Sequence, residues 1–221
     1  MAAKKALIMG ASGLVGGQLL HVLLDAPEYE SVTALVRRPL GVEHAKLNEV
    51  IVNFDALEDN IEHFRVEDVF SCLGTTIKKA KTREAMNRID YTYPLEAARL
   101  AQRTGVQRFL AVSSMSANPD SSIWYSRMKG NLERDLRRLE LPSLRLFRPS
   151  LLLGQREEFR LGERAAALLM PKLSFLLVGN LRKYRAIEGA VVAKAMYRDA
   201  QLQDRGTRIY QSDEIARLGM D

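Results

Sequence analysis

The sequence predicts an α/β protein with a doubly wound parallel sheet. Short apolar runs alternate along the chain with segments in which apolar residues recur at helical spacing. Runs without an alternating polar face are typical of parallel strands that helices cover on both sides. With 221 residues, of which 47% are hydrophobic, the chain can build one sizeable core, so we expect a single domain over residues 1–221.

The predicted elements follow one another in a regular order. Strands are predicted at 4–10, 31–36, 49–54, 68–74, 108–114 and 143–154. Helices are predicted at 14–26, 83–105 and 123–140. We expect the helix over 83–105 to bend near Pro94 and to end at Gly105, because proline breaks the helical ladder and glycine favours a helix C-terminus.

The segment after Gly154 has a different composition, with Ala- and Leu-rich stretches. We predict a helix at 186–202, then a last strand and helix within 208–219, and we interpret residues 155–221 as a small C-terminal lobe on the substrate side of the sheet. The apolar stretches 165–170 and 173–178 indicate buried core. An apolar substrate pocket or a subunit contact in a homo-oligomer is the alternative.

The net charge of +6 does not by itself indicate a nucleic-acid partner. Basic and acidic residues alternate, as between Glu133 and Glu140, and no aromatic residues interleave a basic stripe. We interpret this pattern as a solvated face of mixed charge and predict no nucleic-acid partner. The three histidines lie far apart without metal-ligand spacing, so no metal site is expected.

The cysteine count and the hydropathy pattern bear on the cellular compartment of the protein. The single cysteine, Cys72, cannot form an internal disulfide, which agrees with a reducing environment. No stretch approaches the roughly 18 consecutive apolar residues that a membrane helix needs. Glycines interrupt the apolar start, and no convincing cleavage site follows. We therefore expect a cytoplasmic protein without a membrane span.

The turn after the first strand carries glycines at a spacing of three. Gly10 suits a tight turn, Gly13 lets a phosphate approach the backbone, and Gly16 allows close helix packing. In this arrangement the first helical N–H groups bind a pyrophosphate. A plain β–α turn with packing glycines is the alternative. The predicted cofactor contacts are Gly10, Ala11, Ser12, Gly13, Leu14, Val15 and Gly16.

Two arginines, Arg37 and Arg38, follow the second strand. An NAD site places an acid roughly 20 residues beyond the last glycine, where its carboxylate binds the ribose 2′-hydroxyl. Arg37 stands at this distance from Gly16. Because a guanidinium binds a 2′-phosphate bidentately, we predict NADP(H) as the cofactor rather than NAD(H). The alternative is a pair of surface arginines before a turn.

Residues after the third and fourth strands complete the predicted cofactor site. Asp55 is placed to accept a hydrogen bond from the adenine amino group, and Ala56 to line that pocket. Further cofactor contacts are predicted at Leu73, Gly74 and Thr75, where the backbone passes close to the ligand. We expect Cys72 to pack in the core rather than to act as a nucleophile, because no histidine base has a nearby position.

Tyr125 and Lys129 stand four residues apart, and so on one face of a helix. The preceding strand ends at Ser113 and Ser114, on the edge of the sheet where ligands bind in open α/β folds. A neighbouring ammonium favours the phenolate form of tyrosine, so Tyr125 can exchange a proton with a carbonyl oxygen or an alcohol. Lys129 would also hold the nicotinamide ribose, and Ser114 would donate to the developing alkoxide. An amphipathic helix with a surface lysine is the alternative.

The glycine turn GASGLVG, the serines before YSRMK and the segment RPSLLLG resemble, in this order, the extended or atypical short-chain dehydrogenase/reductases. A closer resemblance is to the Tat-interacting-protein oxidoreductase group. It is carried by CLGTT (72–76), IDYTYPLEAARLA (89–101), FRPSLLLGQRE (147–157) and YRAIEGAVVAKAM (184–196).

The resemblance implies a Rossmann fold that binds NADP(H). It implies Ser114, Tyr125 and Lys129 as the catalytic residues, with Ser113 as an alternative serine. It adds cofactor contacts from Pro149, Ser150 and Leu151. One departure is that Asp90 stands where classical members carry an active-site Asn, so the proton relay beyond Lys129 is left open.

The sequence thus predicts an NADP(H)-dependent oxidoreductase that acts on a small carbonyl or alcohol substrate. An NADPH-binding regulatory protein with little or no turnover is the alternative. A sugar-nucleotide epimerase-like activity ranks below both, because the short C-terminal segment offers little material to enclose a nucleotide sugar.

Overall fold

A computed structural model of the chain describes residues 3–154 and 179–220. The strands are β1 (Lys4–Met9), β2 (Tyr29–Val36), β3 (Leu47–Ile51), β4 (Asp68–Ser71), β5 (Arg108–Val112), β6 (Ser143–Arg148), β7 (Leu152–Leu153), β8 (Ile187–Glu188) and β9 (Gly206–Gln211). The α-helices are α1 (Leu14–Asp25), α2 (Ile77–Ala80), α3 (Arg83–Asn87), α4 (Tyr93–Thr104), α5 (Trp124–Arg137), α6 (Gly189–Ala200) and α7 (Ser212–Met220).

Seven of the described strands form one sheet in the order β3-β2-β1-β4-β5-β6-β9, and all neighbours run parallel. This order confirms the predicted doubly wound α/β class, because the chain moves outward from β1 in both directions. We call the edge formed by the carboxyl ends of these strands the carboxyl edge, and the opposite edge the amino edge.

Helices cover both faces of the sheet. Successive residues of β1 point to opposite faces, so Ala6 and Ile8 pack with α1, α6 and α7, whereas Leu7 and Met9 pack with α4, α5 and the 3₁₀ segment Phe54–Phe64. All four side chains are completely buried. The continuous apolar run in β1 therefore reflects two cores, one on each face.

Several predicted strands end earlier than the sequence suggested, two of them for a clear local reason, and one predicted helix is divided. The strand predicted over 143–154 stops at Arg148 because Pro149 has no N–H for the ladder; β7 then pairs with β8 in a separate small sheet. The strand predicted over 49–54 ends at Ile51, and the side chain of Asn53 then accepts a hydrogen bond from the amide of Asp55 to start the 3₁₀ segment.

The helix predicted over 83–105 consists of α3, a π-helical turn at Arg88–Thr92, and α4. The irregular turn ends two residues before Pro94, close to the predicted bend. Gly105 ends α4 in the left-handed conformation, with φ of +77°, as predicted.

The C-terminal segment contributes to the main sheet. Strand β9 pairs with β6, and α6 packs on α1. The apolar stretches 165–170 and 173–178 lie outside the described residues, so the substrate-side lobe over 155–221 stays a prediction. Within the two described ranges we find no helix with the length and apolar character needed to span a bilayer.

Candidate functional site

The predicted site residues are spread over six strands, but their positions after those strands place them along the carboxyl edge. Gly10 follows β1, Arg37 follows β2, and Asp55 comes four residues after β3. On the other side of β1, Leu73 comes two residues after β4 and Ser114 two after β5. Because neighbouring strands are parallel, these positions share one edge, where open α/β sheets bind ligands.

The glycine turn joins β1 to α1 with very little space. Gly10 has a φ of +81°, and a Cβ at this position would lie 2.5 Å from the carbonyl oxygen of Cys72. A Cβ at Gly16 would lie 2.1 Å from the carbonyl oxygen of Gly10. A Cβ at Gly13 would meet only that same oxygen, at 3.1 Å. Gly10 and Gly16 are therefore required by packing, while Gly13 has a single close neighbour and is exposed.

The N-terminus of α1 is available to an anion. Gly13 is its N-cap, and no side chain of the described residues caps it, so the first helical N–H groups can bind a phosphate. Ala11 and Val15 are buried, and Leu14 packs against Gly154 and Gly189. Contacts from these residues to a ligand would therefore come from the backbone.

Arg37 and Arg38 lie just beyond β2, and both side chains are exposed. Among residues 3–154 and 179–220, no carboxylate forms an ion pair with either guanidinium. Within the described ranges, two cations at the carboxyl edge thus have no carboxylate partner, and their guanidinium groups can bind a phosphate ligand.

Asp55 is held by two neighbours beside these arginines. Its Oδ1 accepts a hydrogen bond of 2.8 Å from the hydroxyl of Tyr93, and the Arg88 guanidinium lies 3.7 Å away. Burial and the hydrogen bond to Asp55 raise the pKa of the Tyr93 hydroxyl, while the charges of Arg88 and Arg37 oppose this shift. Tyr93 was not predicted from the sequence. Its partner lies 38 residues away, and local spacing carries no signal for such a contact.

The segment after β4 packs against the glycine turn and extends along the carboxyl edge. Burial raises the pKa of the Cys72 thiol to about 12, so Cys72 is a neutral thiol packed against the glycine turn, as expected for a residue that is not a nucleophile. Gly74 is exposed, and Leu73 and Thr75 are half-buried. The backbone amide of Thr75 donates a hydrogen bond of 2.9 Å to Oδ2 of Asp90.

Asp90 also pairs with Lys129. Lys129 Nζ lies 3.5 Å from Asp90 Oδ1 and 3.5 Å from the backbone oxygen of Asp90, and both side chains are nearly inaccessible. The carboxylate at the position where the classical Asn was expected therefore contacts the predicted catalytic lysine directly. Asp90 joins this lysine to the loop after β4 through Thr75.

Tyr125 lies one turn before Lys129 in α5 and is half-buried. The loop after β5 folds back onto the same helix: the amide of Asn118 donates a hydrogen bond of 3.0 Å to the backbone oxygen of Ser126. A Cβ at Gly130 would lie 2.2 Å from the backbone of Asn118. Gly130 was not predicted as a site residue, although a glycine inside a helix pattern is a signal of close packing.

The two candidate serines have different surroundings. Ser113 is buried, and its Oγ donates a hydrogen bond of 2.5 Å to Glu133. Ser114 is half-buried, and its Oγ lies 3.1 Å from Oγ of the exposed Ser116. Ser113 is thus engaged inside the protein, which favours Ser114 as the serine that meets a ligand.

Glu133 corrects the interpretation of its region as a solvated face. Its side chain is 1% exposed and pairs with Arg148. Glu133 lies four residues after Lys129, and helical periodicity places residues four apart on one face. The inward-facing helix position, rather than the local charge pattern, decides its burial.

Residues after β6 are bound mainly to the protein itself. The carbonyl of Pro149 accepts from the amide of Met115 at 3.2 Å, and that of Leu151 accepts from the amide of Ile187 at 2.9 Å. The Ser150 hydroxyl donates to the backbone oxygen of Arg185 and accepts from Ser212 at 2.9 Å. The Ser150 hydroxyl thus forms its hydrogen bonds within the protein.

Comparison with known proteins identifies the class. Residues 6–130 match the NAD dependent epimerase/dehydratase family, and the chain belongs to this family, within the extended short-chain dehydrogenase/reductases. The predicted resemblance is confirmed by Protein HTATIP2 of Rattus norvegicus, which is 38% identical over 164 residues, covering 72% of this chain and 67% of that protein. The fold resembles MoeE5 in complex with UDP-glucuronic acid and NAD, with a TM-score of 0.71 at 19% identity, covering 93% of this chain and 75% of that one.

A further relative contradicts the predicted location. Protein FMP52, mitochondrial, of Meyerozyma guilliermondii is 38% identical over 155 residues, covering 69% of this chain and 67% of that protein. Because this relative is named as mitochondrial, the prediction of a cytoplasmic protein is wrong. The cysteine count and the lack of long apolar runs do not distinguish the cytosol from other compartments.

Proposed function

We propose that the chain is an NADP(H)-dependent oxidoreductase of the short-chain dehydrogenase/reductase type, acting on a small carbonyl or alcohol. The observation that carries this proposal is the arrangement of the carboxyl edge. A helix N-terminus that no described side chain caps and two arginines without described carboxylate partners lie on the same edge as Ser114, Tyr125 and Lys129. Membership of an NAD dependent family supports a dinucleotide as the ligand.

The preference for NADP(H) rests on Arg37. A carboxylate at the end of the second strand would bind the ribose 2′-hydroxyl of NAD and repel a 2′-phosphate. Arg37 and Arg38 occupy this place and are exposed. A guanidinium offers a 2′-phosphate two parallel charge-assisted hydrogen bonds, and Asp55, oriented by Tyr93, is available to the adenine amino group.

The nicotinamide supplies a hydride donor or acceptor when it is bound. Tyr125 gives its hydroxyl proton to the carbonyl oxygen during reduction and takes it back from the alcohol during oxidation. Ser114 donates a hydrogen bond to the oxygen that gains negative charge. Lys129 stabilises the phenolate of Tyr125 and offers N–H donors to the ribose, while Asp90 fixes its ammonium in place.

The test is oxidation of NADPH by the purified chain against a panel of aldehydes and ketones, followed by the absorbance of the reduced nicotinamide. Tyr125→Phe serves as the background enzyme, because it keeps the ring and removes the proton. Turnover by the wild type above this background supports the proposal. Equal rates for both proteins across the panel would contradict the assigned role of Tyr125.

An NADPH-binding regulatory protein with little turnover is the second candidate, and the Asp90–Lys129 pair favours it. The carboxylate next to Lys129 offsets part of the positive charge that would stabilise a phenolate at Tyr125. This candidate predicts wild-type protein that binds NADPH but reduces no member of the panel. It also predicts that Asp90→Asn raises the rate, since the neutral amide removes the opposing charge.

A further inference from the structure

Glu133 is not one of the proposed catalytic residues, but it carries a buried carboxylate close to them. Glu133 stands one turn after Lys129 and two turns after Tyr125 in α5. Its Oε1 accepts hydrogen bonds from the Ser113 hydroxyl at 2.5 Å and from Arg148 Nε at 2.9 Å. Its Oε2 accepts from the second guanidinium nitrogen of Arg148, so both carboxylate oxygens are engaged.

The partners of Glu133 belong to the segments that carry the proposed catalytic and nicotinamide-side residues. Ser113 directly precedes Ser114, and Arg148 directly precedes Pro149. Backbone hydrogen bonds link the same two segments, from the Ser113 amide to the Phe147 oxygen at 2.7 Å. One carboxylate thus connects the end of β5, the end of β6 and the helix that bears Tyr125 and Lys129.

This connection is not explained by stability alone. Burying an ion pair costs desolvation that its attraction often only balances, so an apolar replacement would stabilise the fold about as well. The Arg148 side chain is 19% exposed and Glu133 1%. The bidentate geometry fixes the relative orientation of the two segments as well as their distance.

We propose that Glu133 is a positioning residue that holds Ser114, Lys129 and the backbone after Pro149 in the arrangement that receives the nicotinamide half of the cofactor. This inference rests on the proposed function. The adenosine half depends on other residues, namely the glycine turn, Arg37 and Asp55, none of which hydrogen-bonds to Glu133 in the described part of the chain. Glu133 therefore acts on one half of the ligand only.

The chain offers a matched control in Asp199, which is 1% exposed and lies 3.2 Å from Nε of the buried Arg145. Arg145 also donates to the backbone oxygens of Asp204 and Gly206, just before and at the start of β9. The Asp199–Arg145 pair therefore lies towards the amino edge. Replacement of either carboxylate removes the anion from a buried or partly buried arginine, but of the two only Glu133 contacts the segments of the proposed nicotinamide site.

The experiment compares two ligands on the full chain: NADPH, and adenosine 2′,5′-bisphosphate, which lacks the nicotinamide half. For Glu133→Gln we expect the Kd of NADPH to rise about tenfold, while the Kd of the bisphosphate stays within about twofold of the wild type. Glu133→Asp keeps the charge and should recover part of the NADPH affinity. Asp199→Asn should lower the thermal unfolding midpoint without changing the ratio of the two dissociation constants.

Other outcomes would overturn the inference. If Glu133→Gln weakens both ligands equally, or neither, Glu133 only stabilises the fold. If Glu133→Gln does not fold, Ser113→Ala can be tested instead, because it removes one hydrogen bond to Glu133 and leaves the Glu133–Arg148 pair. An unchanged ratio of the two dissociation constants in that variant would also reject the positioning role. A wild type that binds neither ligand would instead reject the proposed function, and this inference with it.

Discussion

The two edges of the main sheet both carry buried charges, but they differ in how these charges are paired. At the amino edge, Asp68 is completely buried and accepts a hydrogen bond of 2.6 Å from Tyr29. Lys4 and Arg108 lie 2.9 and 3.1 Å from its carboxylate oxygens. These four residues are the first residues of β4, β2, β1 and β5, so one carboxylate ties four adjacent strands together.

At the carboxyl edge, some charges are less closely paired within the described part of the chain. Lys129 pairs with Asp90 across 3.5 Å, a longer contact than those of Asp68. Arg37 and Arg38 have no carboxylate partner among the described residues. The Asp68 cluster thus ties the sheet together at the amino edge, whereas Arg37 and Arg38, which have no carboxylate partner among the described residues, can bind an anionic ligand at the carboxyl edge.

The largest expected effect of this difference concerns two tyrosines. Tyr125→Phe at the carboxyl edge should lower turnover by about 10²–10⁴-fold, because the proton donor is lost, while NADPH binding remains. Tyr29→Phe at the amino edge removes the hydroxyl group that donates a hydrogen bond to Asp68. The loss should lower the free energy of unfolding by about 1.5–3 kcal/mol, the range for a hydrogen bond to a charged group. Turnover rates and thermal unfolding of both variants measure the contrast.

Asp68→Asn tests the amino edge more strongly. Lys4 and Arg108 are 19% and 18% exposed, and without their carboxylate they become partly buried, unpaired cations. We expect a loss of about 3–5 kcal/mol in the free energy of unfolding by urea, the usual cost of removing one partner of a buried pair. The Kd of NADPH for the folded fraction should not change. A variant of wild-type stability would contradict the structural role of this edge.

A smaller loss of stability is expected for a substitution in the glycine turn. A methyl group at Gly16 would lie 2.1 Å from the Gly10 oxygen, whereas at Gly17 the nearest atom is the Ala11 oxygen at 3.3 Å. Gly16→Ala should therefore destabilise the chain by about 1–3 kcal/mol and weaken NADPH binding. Gly17→Ala, its neighbour in α1, should stay within about 1 kcal/mol of the wild type. Equal behaviour of the two variants would show that the turn is not tightly packed.

The fold was predictable because each of its signals is local. The apolar run of β1, the glycines that follow it and the end of α4 at Gly105 are all contained in short stretches of sequence. The place of β9 beside β6 was not predictable, because the choice of a strand's neighbour depends on packing across the whole chain. The end of β6 at Arg148 had a local signal in Pro149, which the long apolar run obscured.

The candidate site was predictable where motif spacing fixes it and hidden where distant residues meet. Gly10, Arg37 and Tyr125 follow from strand ends and helical period. Glu133 was assigned to a solvated face, because its partners Ser113 and Arg148 lie 20 and 15 residues away and leave no pattern in the local sequence.

The most direct test of the proposed cofactor site is a titration of the purified chain with NADPH and NADH, followed by nicotinamide fluorescence or heat. We expect NADPH to bind about tenfold more tightly, equivalent to about 1.4 kcal/mol, and this preference to disappear in Arg37→Glu. The control is Arg65→Glu, a charge reversal of the same size near the amino edge, which should preserve the preference. If neither nucleotide binds, or if Arg37→Glu keeps the preference, the carboxyl edge does not bind NADP(H) in the proposed manner.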